Sequence, residues 1–247
     1  MKIVMLGATS GMGRALSRLM TARGDQLFLL GVGADDLERS AADLKARSPS
    51  GETEVGTALC DLTRSDGLDA ALDQAEAALG GFDTVVVTAG IYASQEKLEE
   101  DPILAGRVLD ICFRNTVMFC ETARKRLLAA GGGKLCVFSS VAGDRGRKPV
   151  VIYGAAKAGL SHYLESLDHK FRAQGLKTIC VKPGFVKTTM TEGLKPPPFA
   201  GEPEAVARRV LKAIDKGQPL VYAPAPWRWV MLLIKHLPRF VMRRVEF

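Results

Sequence analysis

Short apolar runs alternate with amphipathic stretches along nearly the whole chain. The run Lys2–Leu6 leads into a helical pattern over Gly11–Arg23, and the same succession repeats up to an apolar run at Leu220–Tyr222. Strand and helix patterns that alternate in this way predict a parallel sheet with helices on both faces. We therefore predict an α/β fold, a doubly wound parallel sheet that forms one domain over residues 1–225, followed by a tail over residues 226–247.

The same pattern places the other strands and helices. Apolar runs predict strands at Leu27–Leu30, Gly56–Cys60, Thr84–Val87, Lys134–Phe138 and Thr178–Val181. Helical patterns cover Asp35–Ala46, Ser65–Leu79, Pro102–Ala130, a segment that carries Tyr153 and ends at Gln174, and Pro203–Lys216. Glycines follow several of these helices, as is usual at helix C-termini. Ser48–Gly51 is predicted to be a turn between a helix and a strand.

A glycine-rich turn joins the first strand to the first helix. It reads Gly7-Ala8-Thr9-Ser10-Gly11-Met12-Gly13. Glycines at a strand-to-helix turn let the backbone approach a pyrophosphate, whose charge the helix N-terminus favours. Because the turn opens an α/β chain, it predicts a Rossmann-type dinucleotide site rather than an ordinary tight turn.

Tyr153 and Lys157 are four residues apart, and Ser140 follows the predicted strand Lys134–Phe138. On a helix this spacing puts the phenol and the ammonium on one face, and the strand would bring a hydroxyl beside them. A phenol has a pKa of about 10, which an adjacent ammonium lowers because it favours phenolate. The three side chains therefore predict a proton shuttle for carbonyl and alcohol chemistry.

Together these motifs resemble the short-chain dehydrogenase/reductase family, in its smaller single-domain branch. The resemblance runs from Lys2 to about Pro224, and it is carried by the glycine turn, Asp61-Leu62, Thr88-Ala89-Gly90, Ser140, Tyr153, Lys157 and Pro183–Thr188. From Ser139 onward the chain also resembles the keto-sugar reductases that finish decaprenylphospho-ribose epimerisation, through Tyr153–Leu160, Val221–Ala225 and His236–Arg239. The family resemblance implies an NAD(P)-dependent oxidoreductase that interconverts a ketone and a secondary alcohol and forms a homo-oligomer.

The resemblance also implies roles for single residues. Tyr153 would give a proton to the carbonyl oxygen as hydride arrives from the nicotinamide, Lys157 would hold the ribose hydroxyls and lower the Tyr153 pKa, and Ser140 would hydrogen-bond the substrate oxygen. Asp61 would bind the adenine amine with Leu62 packed beside it, unless Asp61 only caps the next segment. The implied cofactor-binding residues are Gly7, Thr9, Ser10, Gly11, Met12, Gly13, Asp61, Leu62, Ala89, Gly90, Tyr153, Lys157, Pro183, Gly184, Val186 and Thr188.

Two positions depart from the family pattern. Thr88 stands where the family usually has an asparagine, so the structural hydrogen bonds of that amide must come from Thr88 or from elsewhere. Cys112 stands where an asparagine of the long fourth helix usually helps to hold a proton-relay water. Asn115 lies one turn later, within ~60° around a regular helix, so either it replaces that asparagine or the relay takes another route.

The residues after the second predicted strand bear on the choice of cofactor. A member of the family that prefers NAD would show an acid near Gly31, and one that prefers NADP would often show an arginine near Val32, but the chain has neither. The lack of an acid removes a repulsion against the 2′-phosphate, so we favour NADP and keep NAD open. Asp35 and Asp36 are interpreted as helix-start residues.

Length, cysteines and histidines narrow the class of protein. A chain of 247 residues can bury a full core in one doubly wound domain. None of its five cysteines forms a C-x-x-C pair, and with three histidines no metal site is predicted. Buried, reduced thiols and an N-terminus interpreted as mature structure indicate a cytoplasmic protein. No apolar segment reaches the ~20 residues needed to span a bilayer.

Positive charge is concentrated at the end of the chain. The net charge is +7, and residues 227–247 carry +4 of it, as five basic residues against Glu246. This localisation argues against a general nucleic-acid-binding surface. In the tail, apolar and basic residues recur at helical spacing on opposite faces, with Arg228, Lys235 and Arg239 on the basic one and a possible end or kink at Pro238. This pattern fits a peripheral helix on an anionic membrane, or a tail packed on its own domain or on a partner subunit.

A second basic cluster, Asp144-Arg145-Gly146-Arg147-Lys148, lies between Ser140 and Tyr153. It is either a solvated loop or a site for an anionic substrate such as a phosphate-linked sugar.

The sequence as a whole predicts an NAD(P)H-dependent reductase that acts on a ketone group in a lipid-linked or anionic substrate. Two alternatives are a binding protein that senses the nucleotide without turnover, which the Ser140, Tyr153 and Lys157 set argues against, and a sugar epimerase, whose chains are longer and space the glycines differently.

Overall fold

A seven-stranded parallel sheet forms the centre of the molecule. The computed structural model describes residues 1–49 and 55–246, and within them the strand order is β3-β2-β1-β4-β5-β6-β7. The strands are β1 (Lys2–Leu6), β2 (Gln26–Gly31), β3 (Gly56–Leu59), β4 (Thr84–Val87), β5 (Gly133–Phe138), β6 (Leu176–Pro183) and β7 (Leu220–Ala223). The order reverses between β1 and β4, where a doubly wound sheet opens a crevice at its carboxyl edge. The predicted fold class is confirmed.

Helices cover both faces of the sheet. They are α1 (Gly11–Ala22), α2 (Ala34–Arg47), α3 (Leu68–Leu79), α4 (Gln95–Glu100), α5 (Pro102–Leu109), α6 (Asn115–Ala129), α7 (Val151–Phe171), α8 (Pro203–Lys216), α9 (Trp227–His236) and α10 (Arg239–Met242). A π-helical turn, Asp110–Arg114, joins α5 to α6, and 3₁₀ turns lie at Val141–Asp144, Lys148–Val150, Arg172–Gln174 and Thr189–Thr191.

Each strand feeds two cores because its side chains alternate between the faces of the sheet. Val4 and Leu6 pack in one core with residues of α3, α6 and α7, such as Phe119. Ile3 and Met5 pack in the other core with residues of α1, α2 and α8, such as Leu16. With both faces buried, the strands read as continuous apolar runs, which is why the sequence pattern located them.

The predicted long helix Pro102–Ala130 is interrupted in the structure. It divides into α5, the π-helical turn and α6, and the short helix α4 before it was not predicted. Strand β5 ends at Phe138, two residues before Ser140. Asp35 and Asp36 lie in the first turn of α2, as interpreted from the sequence. Of the predicted turn Ser48–Gly51, Ser50 and Gly51 lie outside the described residues.

The tail packs on the sheet domain through one face of α9. Met231 and Ile234 are buried there, in a small core shared with Val141 and Tyr222. The Trp227 indole lies directly against Gly184, where an added Cβ would be 2.3 Å from the ring. Helix α9 ends at His236 and α10 begins at Arg239, so the chain breaks its helix around Pro238.

Candidate active site

Ser140, Tyr153 and Lys157 face one cavity of about 720 Å³ at the carboxyl edge of the sheet. Helix α7 carries Tyr153 and Lys157 one turn apart, and the Lys157 ammonium lies 5.8 Å from the centroid of the Tyr153 ring. Ser140 precedes the turn Val141–Asp144, and its Oγ accepts a hydrogen bond from the Ala142 amide at 3.1 Å. The structure therefore brings together the three side chains singled out for proton transfer.

The neighbouring Ser139 has a different position. Its hydroxyl donates to the Lys157 carbonyl oxygen at 2.9 Å and lies 2.7 Å from the Ser161 hydroxyl. These contacts fasten the end of β5 to α7. Ser139 is thereby engaged in holding the helix, whereas Ser140 presents its hydroxyl beside Tyr153.

Lys157 is held in place by the strand next to it. The residue is 4 % exposed, and its Nζ donates to the Phe138 carbonyl oxygen at 3.0 Å. A Cβ at Gly90 would lie 3.7 Å from this ammonium. The glycine therefore leaves space in front of Lys157, which fits the expected binding of ribose hydroxyls.

The pKa of Tyr153 is raised above its ordinary value, contrary to the lowering expected from the sequence. Burial of the phenol is the main cause because it disfavours phenolate, and the Cys112 thiol acts in the same direction. The hydrogen bond with Ser140 acts the other way. Since the Lys157 ammonium donates to Phe138 instead, Tyr153 is a protonated phenol at neutral pH, the state that a proton donor requires.

The glycine turn closes tightly at the N-terminus of α1. A Cβ at Gly13 would lie 2.0 Å from the Gly7 carbonyl oxygen, so this position requires glycine. The Thr88 hydroxyl donates to that same carbonyl at 2.8 Å, which is a structural hydrogen bond of the kind expected there. Ser10 makes no side-chain cap, so the first-turn amides of α1 are available to an anion. This set of donors fits the pyrophosphate of a dinucleotide.

The predicted cofactor residues fall into three groups by position. Those that line the cavity are Met12, Gly90, Tyr153, Lys157, Pro183, Gly184, Val186 and Thr188. Those in the turns after β1 and β4, or in the first turn of α1, are Gly7, Thr9, Ser10, Gly11, Gly13 and Ala89. Asp61 follows β3, where its Oδ1 accepts a hydrogen bond from the Thr63 amide at 2.8 Å, the capping role that the sequence left open. The Leu62 side chain is buried in the core beside Asp61, and its contact with the cofactor stays a prediction.

Cys112 and Asn115, the two positions considered for the family's helix asparagine, make different contacts. The Cys112 thiol donates to the Ile91 carbonyl oxygen at 3.2 Å. Asn115 lies beyond the π-helical turn, whose wider winding changes the face on which it falls. Its amide nitrogen donates to the Leu62 carbonyl oxygen at 2.8 Å, after β3. Both alternatives, a replacement by Asn115 and a relay by another route, stay predictions.

Asp144 ties the tail to the cavity wall. Its side chain is 1 % exposed, and it accepts hydrogen bonds from Lys182 at 2.5 Å and from the Tyr222 hydroxyl at 2.8 Å. Lys235 of α9 lies 3.2 Å from the same carboxylate. Lys235, which was expected on the basic face of the tail, therefore meets a buried carboxylate of the domain while its side chain stays partly exposed.

Part of the cavity wall is apolar, which no motif in the sequence predicted. This part includes Phe185, Leu194, Phe199, Trp227, Val230 and Leu233. Tyr92 also lines the cavity, with its ring edge-to-face against Tyr153 at 5.3 Å between centroids and 88° between planes. Tyr92 follows Gly90 by two residues, which is the one local signal that could have drawn attention to it.

Comparison with known proteins decides the family. A model of the family described as short chain dehydrogenase matches residues 1–198. The chain belongs to the short-chain dehydrogenase family. Like its relatives, this short-chain dehydrogenase is an NAD(P)-dependent oxidoreductase. The closer resemblance to decaprenylphospho-ribose keto-sugar reductases stays a prediction.

Two relatives and one solved structure illustrate the range of similar proteins. An uncharacterized oxidoreductase of Mycobacterium tuberculosis is 32 % identical, over 98 % of this chain and 96 % of its own. The cis-4-hydroxycyclohexanecarboxylate dehydrogenase of Sinomonas cyclohexanicum is 32 % identical, over 77 % and 75 %. A short-chain dehydrogenase from Sphingobium yanoikuyae in complex with NADPH has a TM-score of 0.81 at 21 % identity, over 96 % of each chain. The last likeness shows the fold alone.

Within residues 1–49 and 55–246, no group of three or more histidine, cysteine, aspartate or glutamate residues is placed to hold a metal ion. No helix in the same ranges has the length and apolar character needed to cross a membrane. All five cysteines are buried and free, and burial raises the pKa of the Cys60 thiol to about 12.

Proposed function

We propose that the protein reduces a ketone to a secondary alcohol with a nicotinamide dinucleotide, and that it acts on a substrate with a large apolar part. The observation that carries this proposal is the meeting of Ser140, Tyr153 and Lys157 in one cavity at the sheet edge that also bears the glycine turn. The relative from Sinomonas cyclohexanicum supports it, since its name describes the dehydrogenation of a ring alcohol.

The protein's own residues account for the proton and for the orientation of the carbonyl group. Ser140 donates a hydrogen bond to the substrate oxygen, and Tyr153 gives that oxygen its proton as negative charge develops. Lys157 holds the ribose hydroxyls in front of Gly90 while its ammonium keeps the Phe138 carbonyl as a partner. The dinucleotide, when bound, supplies the hydride. Asp61 at the adenine and Thr188 at the carboxamide complete the binding site.

NADP is the favoured cofactor. Gly31 ends β2 and Val32 follows it as an exposed residue, so no carboxylate from these two positions opposes a 2′-phosphate. The repulsion that selects NAD in other members is therefore missing here. NAD remains the second candidate.

An amphiphilic or lipid-linked ketone fits the apolar wall, and the surface around the cavity mouth fits an anionic membrane. Leu233 and Phe199 line the cavity and are also 68 % and 57 % exposed. Trp229 and Phe240 are exposed on the same tail, near Arg228, Arg239, Arg243 and Arg244. Apolar and aromatic side chains beside basic ones favour an interface with anionic lipid. We infer a cytoplasmic protein that meets the membrane peripherally and forms a homo-oligomer.

A ketone panel assayed with NADPH and with NADH tests the reductase proposal. Ketones of increasing apolar length, with and without anionic vesicles, should show NADPH-dependent turnover that rises with length. Tyr153→Phe should remove turnover for every ketone in the panel. Dinucleotide binding without turnover of any ketone would favour the nucleotide-sensing alternative. Interconversion of two sugar epimers without net oxidation of the cofactor would favour an epimerase.

A further inference from the structure

Arg147 brings a buried guanidinium to the wall of the active-site cavity. It lines the cavity together with Ser140 and Tyr153, and its Nε is buried without a hydrogen-bond partner among the described residues. Burial lowers the pKa of its guanidinium, while Tyr92 and Asp144 act in the opposite direction. A buried donor that is left unpaired destabilises a fold, which indicates that Arg147 has a binding role rather than a structural one.

The carboxylate nearest in sequence does not neutralise Arg147. Asp144 already meets two ammonium groups, those of Lys182 at 2.5 Å and Lys235 at 3.2 Å. Within residues 1–49 and 55–246, no acidic side chain forms an ion pair with Arg147. Three cations therefore accompany one buried carboxylate beside the cavity, and the local field favours an anion.

A basic groove adjoins the active-site cavity at Arg147. The groove has a volume of about 610 Å³ and shares Ala142, Arg147 and Val150 with that cavity. Its other charged lining residues are all basic: Arg145, Lys148, Arg239 and Arg243. A ligand that extends from Tyr153 toward this groove passes from an apolar wall to positive charge.

We propose that Arg147 binds an anionic group of the substrate where the apolar cavity meets the basic groove. This inference rests on the proposed ketone reduction and names its substrate class: a ketone that carries a carboxylate or phosphate. A guanidinium suits both groups because its planar fork donates two parallel hydrogen bonds.

The anions of the dinucleotide are not candidates for this position. Arg147 follows β5, whereas the glycine turn follows β1 and Gly31 ends β2. In the sheet order, β2 stands three places from β5. Arg147 therefore lies on the substrate side of the crevice, and its variants should leave dinucleotide affinity unchanged.

Matched pairs of charged and neutral ketones test this role. The pairs are 4-oxocyclohexanecarboxylate and its methyl ester, 10-oxostearate and its methyl ester, and dihydroxyacetone phosphate and dihydroxyacetone. We expect the wild-type kcat/KM to favour the charged member in at least one pair. Arg147→Gln should remove that preference by raising KM for the charged ketone roughly 10- to 100-fold, with kcat little changed. KM for the neutral partner should stay the same.

Two further variants separate binding from general charge and from folding. Arg208→Gln makes the same change in net charge at an exposed position of α8, outside both cavities, and should keep the preference. Arg147→Lys keeps the charge without the fork and should restore part of the lost affinity. Because the Arg147 Nε has no partner to lose, the melting temperature of Arg147→Gln should equal or exceed that of the wild type.

Three other results would contradict the role of Arg147, and each would point to a different error. Equal kcat/KM for charged and neutral members of every pair would refute an anion site while ketone reduction stands. A lower melting temperature, with equal losses for charged and neutral ketones, would assign Arg147 a structural role. No turnover of any ketone would refute the proposed function, and this inference with it.

Discussion

The two sides of the active-site crevice are formed by different parts of the chain, backbone atoms on one side and side chains on the other. On the side of β1 and β4, backbone atoms form the site: Gly13 packs on the Gly7 carbonyl, and the first turn of α1 offers its amides. On the side of β5 to β7, side chains from distant segments form it, and Trp227 and Val230 of the tail help to close it. A site made of backbone depends on a few local turns, whereas a site made of side chains depends on long-range packing.

This difference concerns stability as well as recognition. The backbone side rests on the packing of Gly13 on the Gly7 carbonyl, to which a distant segment adds one hydrogen bond from the Thr88 hydroxyl. The side-chain side depends on the buried carboxylate of Asp144, which joins the turn after Ser140 to β6, β7 and α9. We therefore expect substitutions on the two sides to separate cofactor binding from substrate binding.

The largest expected effect is on chemistry that both sides share. Tyr153→Phe keeps the ring and its packing but removes the proton donor, so kcat should fall about 10²–10⁴-fold. Stopped-flow measurement of NADPH oxidation gives kcat, and fluorescence titration should show unchanged dinucleotide binding. The matched control is Tyr163→Phe on the same helix, because that hydroxyl donates to Glu121 away from the cavity. Retained turnover in Tyr153→Phe would rule out the assigned acid.

Asp144→Asn should break the side-chain side alone. Loss of the carboxylate leaves Lys182 buried without its counter-charge, and removing one partner of a buried pair destabilises by about 3–5 kcal/mol. Urea denaturation should show this loss, and activity should fall as α9 loosens. Asp66→Asn is the control, because its ion pair with Arg64 is exposed to solvent and should contribute little to stability. Unchanged stability in Asp144→Asn would refute the anchoring role.

Gly31→Asp should change the backbone side alone. A carboxylate at the end of β2 opposes the 2′-phosphate, so the modest preference for NADPH should become a preference for NADH, a swing of about tenfold or roughly 1.4 kcal/mol. The added Cβ would lie 3.3 Å from the end of the buried Leu37 side chain, which must shift by a few tenths of an ångström. Titration with both dinucleotides measures the ratio, and KM for the ketone should not change. A wild type that already prefers NADH tenfold would contradict the assignment.

A smaller effect is expected at the outer face of the tail. Trp229 is 65 % exposed on α9 and does not line the cavity, so Trp229→Ser should weaken sedimentation with anionic vesicles without changing turnover of a small ketone. Binding should also weaken with salt, since each basic residue near the surface contributes roughly 1 kcal/mol. Lys212→Gln on α8 serves as the charge control. Vesicle binding that is absent in the wild type, or insensitive to salt, would leave protein packing as the tail's role.

The smallest effect is spectroscopic. Because burial raises the Tyr153 pKa, its phenol in the cofactor-free protein should stay protonated up to its ordinary pKa of about 10. The ultraviolet difference between wild type and Tyr153→Phe should therefore show no phenolate band below that pH. A band near neutral pH that the variant lacks would mean that Lys157 controls the phenol despite its bond to Phe138.

Local pattern was enough to predict the elements and the backbone side of the site. The bounds predicted for β1, β4 and α8 are those of the structure. Buried parallel strands give continuous apolar runs, and an amphipathic helix gives a regular spacing of apolar residues. The glycine turn and the Tyr153–Lys157 spacing are equally local, so the sequence carried them. The helix predicted over Pro102–Ala130 is interrupted by the π-helical turn Asp110–Arg114. The spacing of apolar residues does not reveal a π-helical turn, so the sequence predicted one continuous helix.

Tertiary structure alone decided the side-chain half. The Asp144 carboxylate accepts a hydrogen bond from the Tyr222 hydroxyl, 78 residues further along the chain. Lys235, predicted on the basic face of the tail, contacts the same carboxylate. Burial likewise outweighed the ammonium at Tyr153, so its pKa rose where spacing predicted a fall. Charge and periodicity describe what a residue is, but its dielectric surroundings and its partners depend on which segments the fold packs against it. For that reason the sequence alone predicted a proton donor and a dinucleotide turn, and only the packed structure showed that the Arg147 Nε, which lines the cavity wall, has no hydrogen-bond partner among the described residues.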